Sequence, residues 1–235
     1  MNAGLVLGIE TSGKSTGLAL ADSGKVLAEM VEDSSCSHNE VLMPLLDRLL
    51  RGAGVKVSEL SGIGVDIGPG MFTALRVGTS TAKGLAIAHR IPIVGVSSLW
   101  GIARTARPAM DRVLSLIDAH KQQVYAALYL EGQPVISPSV VSPGQLATEV
   151  SRMLSGQTDL VVAGSGAGIC AEALLAAGVR LNSAGIENPL PGVVAVEAGE
   201  RIARGQADDV SAVEPLYLRR TDAELTREQK LNPNR

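Results

Sequence analysis

The chain has 235 residues, 46% of them hydrophobic, and a formal net charge of −3, which is ample apolar material for one large core or two small ones. That balance offers no general attraction to nucleic acid or to an anionic membrane, and one Phe, one Trp and three Tyr leave few rings on which bases could stack. Cys36 and Cys170 are too few for a disulfide framework, no apolar run reaches bilayer length, and the N-terminus lacks a charged segment followed by a long apolar core, so a cytoplasmic protein that does not enter a membrane is expected.

Leu5 to Thr11, Thr16 to Asp22 and Lys25 to Glu32 are strand-like runs separated by SGKS and SGK turns, which predicts an antiparallel meander. A helix follows, capped by Ser35 or Ser37. Val41, Leu42, Leu45, Leu46, Leu49 and Leu50 form one broad apolar face on it, and Pro44 is expected to kink it. An apolar run from Ile63 to Ile67 then meets Gly68, Pro69 and Gly70 and gives way to helical spacing unbroken until Pro92. That is the pattern of strand, tight turn and helix.

Thr73 is the expected N-cap of this second helix. Its surface is unusually small, with Gly78, Thr79, Ser80, Ala82, Gly84 and Ala86, and such a face can lie very close to another helix. The glycine turn reads either as a phosphate cradle, because the first N–H groups of a helix lack intrahelical partners, or as a tight connection that serves geometry alone.

A strand from Ile91 to Val96 and a helix from Ser98 into the region 104–108 complete the first half. From Arg112 the pattern restarts: Val113 to Ala119, Val124 to Leu130 and Pro134 to Val141 read as strands, Pro143 to Leu154 as a helix, Leu160 to Ala163 as a strand and Gly168 to Ala177 as a helix. Gly192 to Arg204 adds a helix, and Pro215 to Leu218 a short strand. This is an α/β chain with a duplicated βββαβα order, the topology of the actin-like ATPase (ribonuclease H-like) superfamily. The expected divisions are a first subdomain over 1–105, a second, degenerate one over 106–220, and a frayed tail over 221–235.

In that topology Glu10, Thr11 and Ser12 occupy the first phosphate loop, and Asp66 precedes the second, at Gly68 and Gly70. GSGAG at Gly164 to Gly168 follows a strand but lacks dinucleotide-loop spacing. His38, His89 and His120 stand far apart in sequence, with no clustered ligand set around them.

Four stretches together resemble the TsaB family, also called YeaZ: GIETSGKSTGLAL at Gly8 to Leu20, GPGMFTALRVGTSTAKGLA at Gly68 to Ala86, IDAHKQQVYAALY at Ile117 to Tyr129, and EPLYLR at Glu214 to Arg219. The resemblance implies a role in forming N6-threonylcarbamoyladenosine at position 37 of tRNAs that read ANN codons. It implies that the chain works as the non-catalytic partner of its paralogue TsaD in a heterodimer, with TsaE joining as the ATPase of a ternary complex. ATP is then used by the complex and no cofactor is held by this chain alone. Alone, the chain is expected to be a homodimer, and tRNA is contacted mainly through the complex.

Met71, Ala74 and His120 depart from the family's usual Ser, Gly and Arg. TsaD carries an H-x-x-x-H metal motif just after the strand matching Ile91 to Val96; Ser98 and Ile102 stand there in this chain. A hydroxyl and an alkyl group cannot replace imidazole as transition-metal ligands, so no metal site and no catalytic residue are expected. The alternative is an autonomous, sugar-kinase-like phosphotransferase working through the loops at Glu10, Thr11, Ser12, Gly68 and Gly70.

The expected partner surface, for TsaD or for a second copy, is the outward face of the first two helices: His38, Leu42, Leu46 and Leu49 on one, Arg76, Thr79 and Lys83 on the other. Arg219, Arg220, Arg227 and Lys230 are candidates for contact with tRNA or TsaE.

Overall fold

In a computed structural model, which describes residues 4–33, 37–106, 111–154, 156 and 159–219, the chain forms two five-stranded mixed sheets. The first holds β1 (Leu5–Glu10), β2 (Ser15–Asp22), β3 (Lys25–Asp33), β4 (Gly62–Gly68) and β5 (Ile93–Ser97) in the order β3-β2-β1-β4-β5. The second holds β6 (Arg112–Asp118), β7 (Val124–Leu130), β8 (Gln133–Val141), β9 (Asp159–Ala163) and β10 (Arg180–Ser183) in the order β10-β9-β6-β7-β8. In each sheet the first three strands are antiparallel and the last two join in parallel.

The helices complete the repeat: α1 (His38–Ala53), α2 (Phe72–His89) and α3 (Ser98–Ala106) in the first half, α4 (Pro143–Leu154), α5 (Ala167–Ala176) and α6 (Pro191–Ala203) in the second. Each half is therefore βββαβαβα, which matches the elements expected in the first half and adds one strand, β10, to those expected in the second. β10 escapes sequence reading because its four residues, RLNS, are mostly exposed and carry no apolar alternation.

α1 and α2 cover one face of the first sheet. Leu7, Ile9, Leu18 and Leu20 from the strands meet Leu42, Leu45, Leu46 and Leu49 from α1 in a single apolar core. α1 starts at His38 after Ser37, whose side chain makes no capping bond, and Ser35 lies outside the described residues. Gly54, in the left-handed conformation, closes its other end through its N–H. α2 starts one residue before the expected Thr73 cap: Met71 is the N-cap, because its N–H donates to the carbonyl of Ser12 while its own carbonyl accepts from Leu75. The first hairpin, and not a hydroxyl, fixes this helix end.

The two remaining helices cross over. α6, placed by chain order with the second half, packs on the opposite face of the first sheet, against β1, β2 and β4. Gly8 and Gly64 are direct partners in the β1–β4 register, and together they form a trough for it. A Cβ on Gly64 would stand 2.6 Å from the Val194 carbonyl oxygen and 2.7 Å from the Ala198 Cβ, and one on Gly8 would collide with the Pro191 carbonyl. α3, placed with the first half, sends Leu99 and Ala103 into a cluster with Val113, Ala127 and Tyr129 of the second sheet. The subdomains are thus clasped by exchanged helices.

After α6 the segment 205–219 runs back over the first subdomain as an extended strap. The expected strand from Pro215 to Leu218 does not form; Leu216 N–H donates to the Ile67 carbonyl at 2.6 Å, a single bond with no ladder beyond it. The tail over 221–235 lies outside the described residues. No described helix is long and apolar enough to cross a membrane.

Candidate functional site

The two candidate phosphate loops close on one another. The β1 strand delivers Glu10, Thr11 and Ser12 to the end of the first sheet, where all three are buried. Thr11 Oγ1 donates to the Ala74 carbonyl at 2.9 Å, Ser12 carbonyl accepts from Met71, and Gly78 lies so near Thr11 that any Cβ there would strike its hydroxyl. The small residue at Gly78 therefore serves the chain's own hairpin. Gly68, at φ +99°, and the half-buried Gly70 make the turn itself; a Cβ on Gly70 would come within 2.5 Å of the Ser12 carbonyl oxygen.

Inside this closure sit two carboxyl groups, Glu10 at 1% exposure and Asp66 at 0%. Glu10 Oε1 accepts from the Ser12 hydroxyl at 2.5 Å and from the Ser12 N–H at 2.7 Å. Asp66 Oδ1 accepts from the Ser98 hydroxyl at 2.5 Å and the Gly68 N–H at 2.7 Å, while its Oδ2 has no hydrogen-bond partner. Desolvation, followed for Glu10 by repulsion from Asp66, raises both groups well above the usual carboxylate range. Ser98 is thus a hydrogen-bond donor to Asp66, and Ile102 is fully buried in the core. Among the described residues no three His, Cys, Asp or Glu side chains gather closely enough to hold a metal ion.

The helix residues expected to face a partner divide sharply. Leu42, Leu46 and Leu49 are 1%, 3% and 1% exposed and belong to the core under α1; Thr79 is also buried and donates to the Leu75 carbonyl at 2.8 Å. These four are corrected from partner contacts to internal packing, because the broad apolar face of α1 is consumed by its own sheet. His38 is half-buried, its Nδ1 2.8 Å from the Thr16 hydroxyl, and burial lowers its pKa. Arg76 Nε donates to the Tyr217 hydroxyl at 3.0 Å, and Lys83 Nζ to the Val213 carbonyl at 3.0 Å, so both are engaged by the strap.

What remains open on α2 is a stripe that sequence reasoning did not orient: Ser80, Gly84, Ile87 and Ala88 are all exposed, at spacings that share one helix face. Ile87 is 63% exposed, and nothing lies within 4 Å of where a Gly84 Cβ would stand. On neighbouring α1, Met43 is 51% exposed beside the Asp47–Arg51 ion pair of 2.9 Å. Their signal in the sequence was the small, uncharged run of α2 itself.

Residues 26–226 match the family described as TsaD: tRNA N6-adenosine threonylcarbamoyltransferase. Over 223 residues the chain is 30% identical to the tRNA threonylcarbamoyladenosine biosynthesis protein TsaB of Bacillus subtilis (strain 168), covering 93% of this chain and 96% of that one. The chain belongs to the TsaB (YeaZ) family. The solved structure of YeaZ from Pseudomonas aeruginosa superimposes with a TM-score of 0.77 at 28% identity, covering 92% of this chain and 100% of that one. A ROK family protein from Streptococcus pneumoniae TIGR4, solved with sucrose, reaches a TM-score of 0.51 at 9% identity over 86% of this chain and 99% of its own. This second likeness concerns the fold alone, and it agrees with a duplicated actin-like architecture.

Proposed function

We propose that this TsaB-family chain acts in tRNA threonylcarbamoyladenosine formation as the non-catalytic partner of TsaD, on tRNAs that read ANN codons. The observation that carries the partner role is the Ser80, Gly84, Ile87 and Ala88 stripe. The chain's own core, hairpin and strap occupy the other sides of α2 and leave this small, uncharged face without a neighbour among the described residues. A helix from another subunit can approach such a face closely, and burying Ile87 and Met43 supplies the apolar gain.

The sealed loops support assigning chemistry to TsaD. Phosphoryl transfer needs carboxylates that reach Mg²⁺ and the nucleophile, whereas Glu10 and Asp66 are bonded to the chain's own serines. The phosphotransferase alternative would require this closure to open. Partner binding then acts as a coupling free energy on TsaD and not as a chemical step. TsaE completes the assembly, ATP is consumed by the complex, and the homodimer formed through the same stripe competes with the heterodimer.

The test is to mix the chain with TsaD from the same source, measure mass by size-exclusion chromatography with light scattering, and assay threonylcarbamoyl transfer with and without it. A heterodimer and chain-dependent transfer are expected, both lost in Ile87→Asp. Transfer by TsaD that ignores the chain would refute the reading.

A further inference from the structure

A cleft of about 310 Å³ opens between the subdomains, away from the α2 stripe, and its lining is chemically distinctive. The sequence has one Phe, one Trp and three Tyr, yet Phe72, Tyr125 and Tyr217 all line this one cleft, together with His120, Lys121 and Arg219. Rings and cations are thus concentrated in one place on a chain that is acidic as a whole.

The geometry around them is built. The Phe72 and Tyr217 rings lie 5.2 Å apart, and the Arg76 guanidinium sits 3.9 Å above Phe72, so these side chains form a braced wall. Tyr217 remains 46% exposed. On the opposite side His120, Lys121 and Gln122 take φ of 59°, 53° and 56°, three consecutive left-handed residues without a glycine among them. Such strain persists only where surroundings hold it. Here the Asp118 carboxylate accepts from the His120 N–H at 2.7 Å and the Arg219 guanidinium donates to the Ala119 carbonyl at 2.7 Å. Asp118 lies 3.6 Å from the His120 ring.

We propose that this cleft receives one unstacked nucleotide of single-stranded RNA, its base on the Phe72 and Tyr217 wall and its phosphate toward Lys121, His120 and Arg219. A flat apolar face beside fixed cations is the recognition chemistry of single-stranded nucleic acid, whose bases stack on aromatic rings and whose phosphates need local positive charge. The volume sits at the low end of small-ligand sites, which run from roughly 300 to 1,000 Å³, and admits a single nucleotide while excluding a duplex. This inference rests on the tRNA-modification reading above and adds a place where this chain itself touches RNA.

The full chain is titrated, at low salt, into a fluorescein-labelled RNA hairpin with an unpaired loop, into the same sequence annealed as a duplex, and with free adenosine monophosphate as competitor. Tyr217→Leu should weaken hairpin binding roughly tenfold, Tyr217→Phe should restore it, and Lys121→Glu should flatten the salt dependence by roughly 0.7 in log–log slope. Unchanged thermal unfolding confirms that these exposed substitutions leave the fold intact. No hairpin binding, equal binding of the duplex, mononucleotide competing as strongly as the hairpin, or a Tyr217→Leu protein that binds like the parent would each overturn the proposal. TsaD association and transfer are read separately, so failure here leaves the partner reading standing, and failure there leaves this binding measurement intact.

Discussion

The carboxyl groups of Glu10 and Asp66 lie inside one subdomain close enough to repel, and each is held by a serine and a backbone N–H. Ser12 arrives from the first hairpin and Ser98 from the start of α3, so the pair ties together the turns that shape α2 and the inter-subdomain clasp.

Stability should therefore fall as pH rises. Glu10 is raised from 4.5 to about 8 and Asp66 from 3.8 to about 6, so between the ordinary carboxyl range and about pH 8 the folded chain holds protons that the unfolded chain releases. The free energy of unfolding is highest below that window, declines through it, and levels off above. Glu10→Gln keeps the shape and removes the charge. Its unfolding temperature should exceed the parent's above pH 8, by the equivalent of at least about 1 kcal/mol, and vary less across the window. Superimposable pH curves for the two proteins would disprove the account.

Two glycines make opposite predictions. Gly64→Ala places a methyl against the α6 backbone and should cost about 1–3 kcal/mol in chemical denaturation, since neither sheet nor helix can retreat. Gly84→Ala, in open space on α2, should stabilise the isolated chain by roughly 1 kcal/mol through helix propensity. If the stripe receives a partner helix, the same methyl should weaken association; unchanged affinity would show that no helix approaches Gly84.

Leu46→Asp and Ile87→Asp separate core from interface. At 3% exposure, a carboxylate at Leu46 is buried unpaired and should cost several kcal/mol, leaving the subdomain unfolded or unable to ionise the new group. Ile87→Asp should change stability by less than about 0.5 kcal/mol and abolish the heterodimer. Circular dichroism melts of both proteins, beside light scattering with TsaD, check the contrast.

The strap depends on Asp208, whose carboxylate accepts from Arg201 at 2.9 Å and from the Gly95 N–H at 2.8 Å. Asp208→Ala strands both donors and should cost about 1–3 kcal/mol, with faster proteolysis after residue 205. A protease pattern identical to the parent's would show that the remaining bonds of the strap, to Lys83, Arg76, Ile67 and Ala119, suffice to hold it.

Local pattern was sufficient for most of this architecture. The alternating apolar residues of β1 and β2, the leucine face of α1, and the break at Gly68 to Gly70 are short-range signals, and together with the family motifs they fixed strands, helices, duplication and kinship. Orientation was not local. A broad leucine face can serve a sheet or a partner, and only packing showed that Leu42, Leu46 and Leu49 belong to the first while Ile87 is left over. The exchange of α3 and α6, the engagement of Arg76 and Lys83 by the strap, and the meeting of Glu10 with Asp66 join residues far apart in the chain. Such contacts form only when whole surfaces fit, and the Gly8 and Gly64 trough that admits α6 has no meaning until β1 and β4 lie side by side.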